Sequence, residues 1–331
     1  MKKILIIQTA FIGDVVLATA LIEKLHIYHK EAHIDFLVRK GNESLLENNP
    51  YLHKVLTWDK KEHKIKNLFS LLTQVRKARY DIVINLQRFL STGMLTGFSG
   101  AKITIGFDKN PLSFLYSKKV KHVFDVHHPR HEVQRNNDLI KDFTDDTMSL
   151  PALYPSPEDE QKISHYTGMP YVTMTPSSVW FTKKYPAEKW ISLIDRFDPA
   201  FKIYLLGGKE NMSEAELIIQ KTINKNIEAV AGKLSFLQSA AMMRTAVMNY
   251  TNDSAPMHFA SAVNAPVTAI FCSTVPAFGY TPLSSKSYIV ETQLHLKCRP
   301  CGIHGYKACP LEHFECAHSI TTNQLLETLC K

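Results

Sequence analysis

An unbroken apolar run, Ile4 to Ile7, is followed from Val15 to Tyr28 by apolar residues at helical spacing. The run predicts a buried strand and the spacing predicts an amphipathic helix, joined by a short turn at Ile12-Gly13-Asp14. His33–Val38 predicts a strand, Glu43–Asn48 a short helix, Lys54–Trp58 a strand and Leu68–Ala78 a helix. DIVINL, Asp81–Leu86, predicts another buried strand. Strands that alternate with helices imply parallel strands joined by crossover helices.

The pattern lapses over Asp145–Gln161, where SLPALYPSPEDEQ carries three prolines and no periodicity, as a linker would. It then restarts. Strands are expected at Tyr171–Thr175, Lys202–Leu206, Ile227–Ala231, Ala246–Thr251 and Val267–Phe271. Helices are expected at Glu188–Phe197, Ser213–Lys221, Ser235–Thr245 and Pro256–Val263. The expected fold class is α/β, with an N-terminal Rossmann-like domain over 1–155 and a C-terminal one over 156–331. Ligands of open α/β sheets bind outside the carboxyl ends of the strands, so two such sheets predict a substrate cleft between them.

At 331 residues, each half is long enough to bury its own core. With 45% hydrophobic and 21% charged residues the chain is of ordinary globular type. It has no apolar run of membrane-spanning length, and the segment after Lys2-Lys3 breaks at Gly13-Asp14, unlike a signal peptide. The expected location is the cytoplasm, with peripheral contact at the inner face of the membrane. A net charge of +8 points to acidic partners: nucleotides, phosphorylated glycans or an anionic membrane surface. Neither an RNA-recognition signature nor a helix-turn-helix cue accompanies the basic clusters Lys60-Lys61, Lys118–Lys121 and Lys183-Lys184, so no nucleic acid is expected.

The chemistry concentrates in four stretches. In Asn252-Asp253-Ser254-Ala255-Pro256-Met257-His258 a strand ends, Asp253 or Ser254 can cap the next helix, and Pro256 suits its first turn. Bare N–H groups there form a ready anion site, toward which His258 could lean. A capped helix with a surface histidine is the plain alternative. Thr175-Pro176-Ser177-Ser178 followed by Thr182-Lys183 places hydroxyls and a point charge on a loop after a strand, suited to phosphate oxygens or simply to solvent. Gly207-Gly208-Lys209-Glu210 and Gly232-Lys233-Leu234-Ser235 also follow strands. Glu210 could accept ribose hydroxyls and Leu234 could pack on a base; each stretch could equally be a turn.

Taken together, IGDVVLATALI, K-x-Y-P-x-x-x-W, LLGG-x-E and NDSAPMHFASAVNAPVTAIF resemble the ADP-heptose–lipopolysaccharide heptosyltransferase family, the GT-B glycosyltransferases of family nine, in order and spacing over nearly the whole chain. The resemblance implies two Rossmann-like domains, acceptor on the first and nucleotide-sugar donor on the second. It implies inverting transfer of a heptose to the lipopolysaccharide inner core. No compact DxD-like acidic motif stands out in the sequence, so no obligatory cofactor or metal is expected. On the resemblance, Asp14 is the catalytic base, Lys183 and His258 act in catalysis, and Ser177, Ser178 and Lys183 hold the donor diphosphate. Asp253, Ser254, Ala255 and His258 line the donor pocket, while Glu210 and Leu234 touch ribose and base. Ala255 departs from the family's glycine in D-[ST]-G-x-x-H. Gln87, Arg88, His131 and Arg135 are the acceptor-side candidates, with a solvated loop and an ordinary helix as the alternative. A GT-B-like nucleotide-sugar epimerase, acting on the donor without an acceptor, and a non-catalytic sugar-binding relative that keeps the fold are the alternative readings.

Cys298-x2-Cys301-x7-Cys309-x6-Cys316 opens with the spacing of a structural zinc site. Reduced thiols in a packed loop, or a disulfide, are left open by the irregular later spacings. Cys272 and Cys330 lie outside the set.

Overall fold

The computed structural model describes residues 2–329 and divides into two units. The first runs to Asp125 and resumes over Arg130–Tyr154; the second takes Val126–Pro129 and continues from Pro155. Cys330 lies outside the described residues.

In the first unit six parallel strands, β1 (Lys3–Ile7), β2 (His33–Arg39), β3 (Leu52–Trp58), β4 (Ile82–Asn85), β5 (Ile103–Phe107) and β6 (Lys118–Val120), stand in the order β3-β2-β1-β4-β5-β6. Ile7 lies opposite both Leu37 of β2 and Asn85 of β4, so β1 is central and its Ile4–Ile7 run is buried on both faces. The helices are α1 (Ile12–Tyr28), α2 (Lys64–Ala78), α3 (Leu90–Gly97) and α4 (Glu132–Asn137). Leu68, Leu71 and Val75 of α2 and Leu95 of α3 pack on Leu5, Ile7, Leu37, Leu56 and Trp58.

Instead of the expected amphipathic helix, α1 is buried almost all round from Val15 to Leu25. The reason lies in the segment read as a linker, whose first part packs on the helix's outer side. Thr19 Oγ1 accepts from the Ala152 N–H at 2.9 Å, and the Tyr154 hydroxyl donates to Glu23 at 2.9 Å. The buried Lys24 ammonium sits 2.5 Å from Asp145 Oδ1 and donates to the Asp145 carbonyl at 2.7 Å. The end of the expected linker is helical, α5 (Pro157–Ile163). Ser156 caps it by accepting from the Asp159 N–H while Asp159 accepts from the Ser156 N–H, with Pro157 in the first turn. A proline that suggests a loop in sequence also fits the first position of a helix.

The second unit repeats the design. Strands β7 (Tyr171–Thr175), β8 (Lys202–Leu205), β9 (Ile227–Ala229), β10 (Met248–Asn252), β11 (Val267–Phe271) and β12 (Ser287–Glu291) are all parallel, in the order β12-β11-β10-β7-β8-β9. Around them lie α6 (Ala187–Ile194), α7 (Met212–Lys221), α8 (Phe236–Thr245), α9 (Ala255–Ala262), α10 (Glu315–His318) and α11 (Thr322–Leu326). One core joins Val172, Met174, Trp190, Leu193, Ile203, Leu205, Ile218 and Tyr250 to Phe314, Ile320 and Leu325 of the C-terminal segment.

Candidate active site

In each sheet the connection order reverses once, between β1 and β4 in the first unit and between β7 and β10 in the second. Loops diverge at such a reversal and leave a crevice at the carboxyl ends of the strands. Two of the four predicted stretches open at the β7/β10 reversal.

β10 is buried throughout and emerges at Asn252-Asp253-Ser254, where α9 begins at Ala255 with Pro256 in its first turn. The expected side-chain cap is absent. Ser254 holds the capping position, but its hydroxyl makes no capping bond and donates to the Asn252 carbonyl at 3.4 Å. The Asp253 carboxylate turns to Lys183 Nζ at 2.7 Å and accepts from Thr274 Oγ1 at 2.6 Å. For a nearly buried carboxylate, a charge-assisted bond to an ammonium outcompetes a neutral cap. Lys183 is itself mostly shielded, with 15% of its side chain exposed. His258, one turn into α9, is buried and not at the surface.

Lys183 reaches Asp253 because its loop is fixed at both ends. Asn252 is fully buried; its amide donates to the Pro176 carbonyl at 2.6 Å and its Oδ1 accepts from the Tyr185 N–H at 2.9 Å. That one side chain brackets the segment holding Ser177, Ser178 and Lys183, with both serines half-buried behind β7. Thr182, also fully buried, accepts from Ser273 Oγ at 3.0 Å and the Tyr306 N–H at 2.8 Å, while its own N–H donates to the Tyr306 carbonyl at 3.1 Å. Gly305 has φ +78°, and a Cβ there would stand 2.9 Å from Thr182 Oγ1 and 3.0 Å from Lys183 Cγ. Only glycine allows this approach.

The remaining two stretches lie farther along the same edge. Glu210, exposed in the turn Lys209–Asn211 behind β8, folds its carboxylate back over Gly208, where a Cβ would meet it at 2.5 Å. The Gly232 N–H donates to the Gly207 carbonyl at 2.9 Å, which brings the β9 loop with half-buried Leu234 beside the β8 loop. Asp253, Ser254, Ala255 and His258 behind β10, Ser177, Ser178 and Lys183 behind β7, Glu210 behind β8 and Leu234 behind β9 thus follow the sheet order. Three inter-strand steps span about 14 Å at ~4.8 Å each.

In the first unit Asp14 stands in the first turn of α1, half-buried. The preceding loop is pinned from three sides. Gln8 Oε1 accepts from the Ala10 N–H at 3.3 Å, Asn42 Nδ2 donates to the Ala10 carbonyl at 3.2 Å, and Lys60 Nζ donates to the Thr9 carbonyl at 2.7 Å. Lys60 also lies 4.7 Å from the Trp58 ring; burial, with Arg39 and Lys64 nearby, pushes its ammonium down to about 8. Gln87, buried at the end of β4, donates to Gln8 across the β1/β4 reversal. Arg88 is exposed beside Phe89.

The other two acceptor-side candidates have structural partners. His131 caps α4, its Nδ1 accepting from the Val133 N–H at 3.2 Å. Arg135 is only 3% exposed; its Nε donates to Glu132 at 2.7 Å and its guanidinium lies 4.3 Å over the Phe124 ring. Burial works to raise the Glu132 pKa, yet the bond from His122 and the charge of Arg135 hold it below the usual value. Arg135 therefore does not project to solvent as expected of an acceptor contact. Its partner Glu132 lies three residues away on the same short helix.

The four cysteines Cys298, Cys301, Cys309 and Cys316 line one cavity of about 270 Å³ with Thr182, Tyr306 and His313. All four are free thiols, and no three His, Cys, Asp or Glu side chains among the described residues are gathered as a metal-ligand group. Burial raises Cys301 and pushes Cys316 up to about 12. The loop is held in place by Arg299, which donates to the carbonyls of Cys272 at 2.8 Å and Thr274 at 2.7 Å and pairs with Glu291 at 2.5 Å.

Asn252, Thr182, Thr274, Arg299 and Lys60 were not among the sequence candidates. Asn252 and Thr182 stand within two of the four stretches, where an amide ending a buried strand and a threonine inside a turn are the available signals.

The chain matches the profile described as Glycosyltransferase family 9 (heptosyltransferase) over residues 68–308. It is 26% identical over 280 residues to lipopolysaccharide heptosyltransferase 3 of Escherichia coli K12, covering 80% of this chain and 81% of that one. Its fold superposes on a family 9 glycosyl transferase from Veillonella parvula with TM-score 0.86, at 22% identity and covering 99% and 97% of the two chains. It superposes on E. coli ADP-heptose lipopolysaccharide heptosyltransferase II with TM-score 0.82, at 20% identity and covering 100% and 98%. These two likenesses give the fold: two Rossmann-like α/β domains of GT-B type.

Proposed function

The chain belongs to glycosyltransferase family 9, the heptosyltransferase family, and from that membership we propose that it transfers a heptose, with inversion, from ADP-heptose to the inner core of lipopolysaccharide. The second unit takes the donor and the first the acceptor. The observation that carries this reading is the row of side chains along the carboxyl edge of β10, β7, β8 and β9, with Lys183 and Asp253 at the reversal.

The donor diphosphate lies at the β7/β10 end, against Ser177, Ser178, Lys183 and the start of α9 at Ser254 and Ala255. Ribose and base extend toward Glu210 and Leu234. The acceptor hydroxyl oxygen attacks the anomeric carbon from the face opposite the diphosphate. Its proton passes to the Asp14 carboxylate, the bond from the anomeric carbon to the diphosphate oxygen breaks, and the electron pair leaves with the nucleoside diphosphate. Lys183 and His258 offset the charge that develops on the leaving group, and such stabilisation is worth most where water is excluded. The Lys183 ammonium is then shared between diphosphate and Asp253, and Thr274 remains on the carboxylate. Gln87 and Arg88, at the carboxyl end of β4, are the acceptor-side contacts. A lipid-borne acceptor brings the protein to the cytoplasmic face of a membrane.

Calorimetric titration with ADP, UDP and GDP, paired with transfer from ADP-heptose to heptose-deficient core, tests the proposal. Asp14→Asn is expected to bind ADP like the parent and to lose transfer by roughly 10²–10⁴-fold. Full turnover in that variant, or preference for another nucleotide, overturns the assignment.

A further inference from the structure

Charge is unequally divided between the two halves. Residues 1–154 hold 23 Lys and Arg against 16 Asp and Glu, while the rest of the chain holds 16 against 15. Within the first half the excess concentrates at residues 60–79, with seven Lys and Arg and a single acid, Glu62. Most of that stretch is α2, which has no acidic residue of its own.

α2 buries one stripe, Leu68, Leu71 and Val75. At 100° per residue the opposite face carries Ile65, Lys66, Phe69, Thr73, Arg76 and Lys77 within an arc of about 120°. Ile65 is 70% and Phe69 54% exposed, and both lysines are exposed. Arg76 extends the surface by donating to the carbonyl of Phe98, itself an exposed aromatic, at 2.9 Å. A water-facing helix does not need Ile and Phe one turn apart on its outer side, and scattered cations do not need a helix free of acids. Large apolar residues flanked by lysines on one face are the composition of a helix lying in a lipid headgroup layer. No described helix is long and apolar enough to cross a membrane.

We propose that the outer face of α2, with Phe98, is a docking surface for an anionic bilayer, Ile65, Phe69 and Phe98 entering the headgroup region and Lys66, Arg76 and Lys77 pairing with lipid phosphates. The charge complementarity selects an anionic membrane over a second copy of this chain, whose corresponding face carries the same positive charge. The role of the surface rests on the lipid-borne acceptor proposed above, but its test does not.

Flotation of the full chain with vesicles of phosphatidylcholine, alone or mixed with phosphatidylglycerol, provides that test without donor or acceptor. The parent is expected to float with the anionic vesicles only. Lys66→Glu/Lys77→Glu should weaken partitioning at least roughly tenfold, and Ile65→Ser/Phe69→Ser should weaken it at unchanged net charge. Both variants alter exposed positions, and their melting curves and transfer to a delipidated acceptor should match the parent. Loss of flotation with retained transfer ties the surface to the bilayer. Parent-like flotation in both variants, or no flotation of the parent, overturns the inference whatever the transfer assay shows. It is also overturned if the serine variant floats like the parent while an oligonucleotide displaces the parent from vesicles, because the surface is then a general polyanion site.

Discussion

The Lys183 ammonium lies 2.7 Å from the Asp253 carboxylate, and both side chains are largely shielded from water. A pair so placed has a structural cost when broken and, under the proposed function, a chemical role when shared. Lys183→Met leaves the Asp253 carboxylate with the Thr274 hydroxyl in place of a cation, and stranding a buried charge destabilises by about 3–5 kcal/mol. The double variant Lys183→Met/Asp253→Asn removes that stranded charge. It is expected to regain much of the melting temperature and none of the ADP affinity. Recovery of both in titration would make the lysine structural and remove it from the donor site.

Asn252 is predicted to control the same site without touching donor. Asn252→Ala leaves the Pro176 carbonyl and the Tyr185 N–H without their side-chain partner, at about 1–3 kcal/mol per buried group left unsatisfied. With its bracket gone, the loop carrying Ser177, Ser178 and Lys183 loses its fixed position. Donor KM should rise more than kcat falls, and thermal unfolding should begin earlier. An unchanged KM in a destabilised variant would limit Asn252 to stability.

The paired sheets were legible because apolar runs such as Ile4–Ile7 and Val267–Phe271 are buried on both faces and leave an unambiguous pattern. β6 was not, since its three residues Lys118–Val120 form a partly exposed edge where charge replaces apolar periodicity. α3 escaped because LSTGMLTG has two glycines and no polar face. Candidate residues in motifs behind a strand lie at the carboxyl edge of the second sheet, since strand ends fix loop positions. Thr274 and Lys60 were missed because their roles come from contacts 21 and 51 residues away in sequence. Helical spacing does not reveal that Glu132 and Phe124 enclose Arg135.

Acid should loosen the packing of the chain segment on α1. Bonds from Lys24, Tyr28 and Thr147 hold the Asp145 carboxyl well below the usual carboxylate range. A carboxylate depressed in the folded state stabilises fully above its unfolded pKa, ~3.9, and loses that contribution as pH falls toward the folded value. Asp145→Asn should therefore melt below the parent at neutral pH, and the gap should narrow below pH about 4. A gap independent of pH across that range would assign the loss to packing instead of charge.

Lys60 should affect stability and acceptor binding in opposite ways. Burial lowers its ammonium to about 8 in the folded chain, against ~10.4 unfolded. The folded state therefore disfavours the charge, and stability from this group rises as pH increases from about 8 to ~10.4, where only the unfolded chain keeps the proton. In that window the parent should gain melting temperature relative to Lys60→Met. Under the proposed function the same half-buried cation, at the carboxyl end of β3 beside the loop that leads to Asp14, meets an anionic acceptor. Acceptor KM should therefore rise through pH about 8 in the parent as the charge is lost. In Lys60→Met it should be high and flat, with donor KM unaffected in both. An acceptor KM that rises equally in parent and variant would move the titrating group elsewhere.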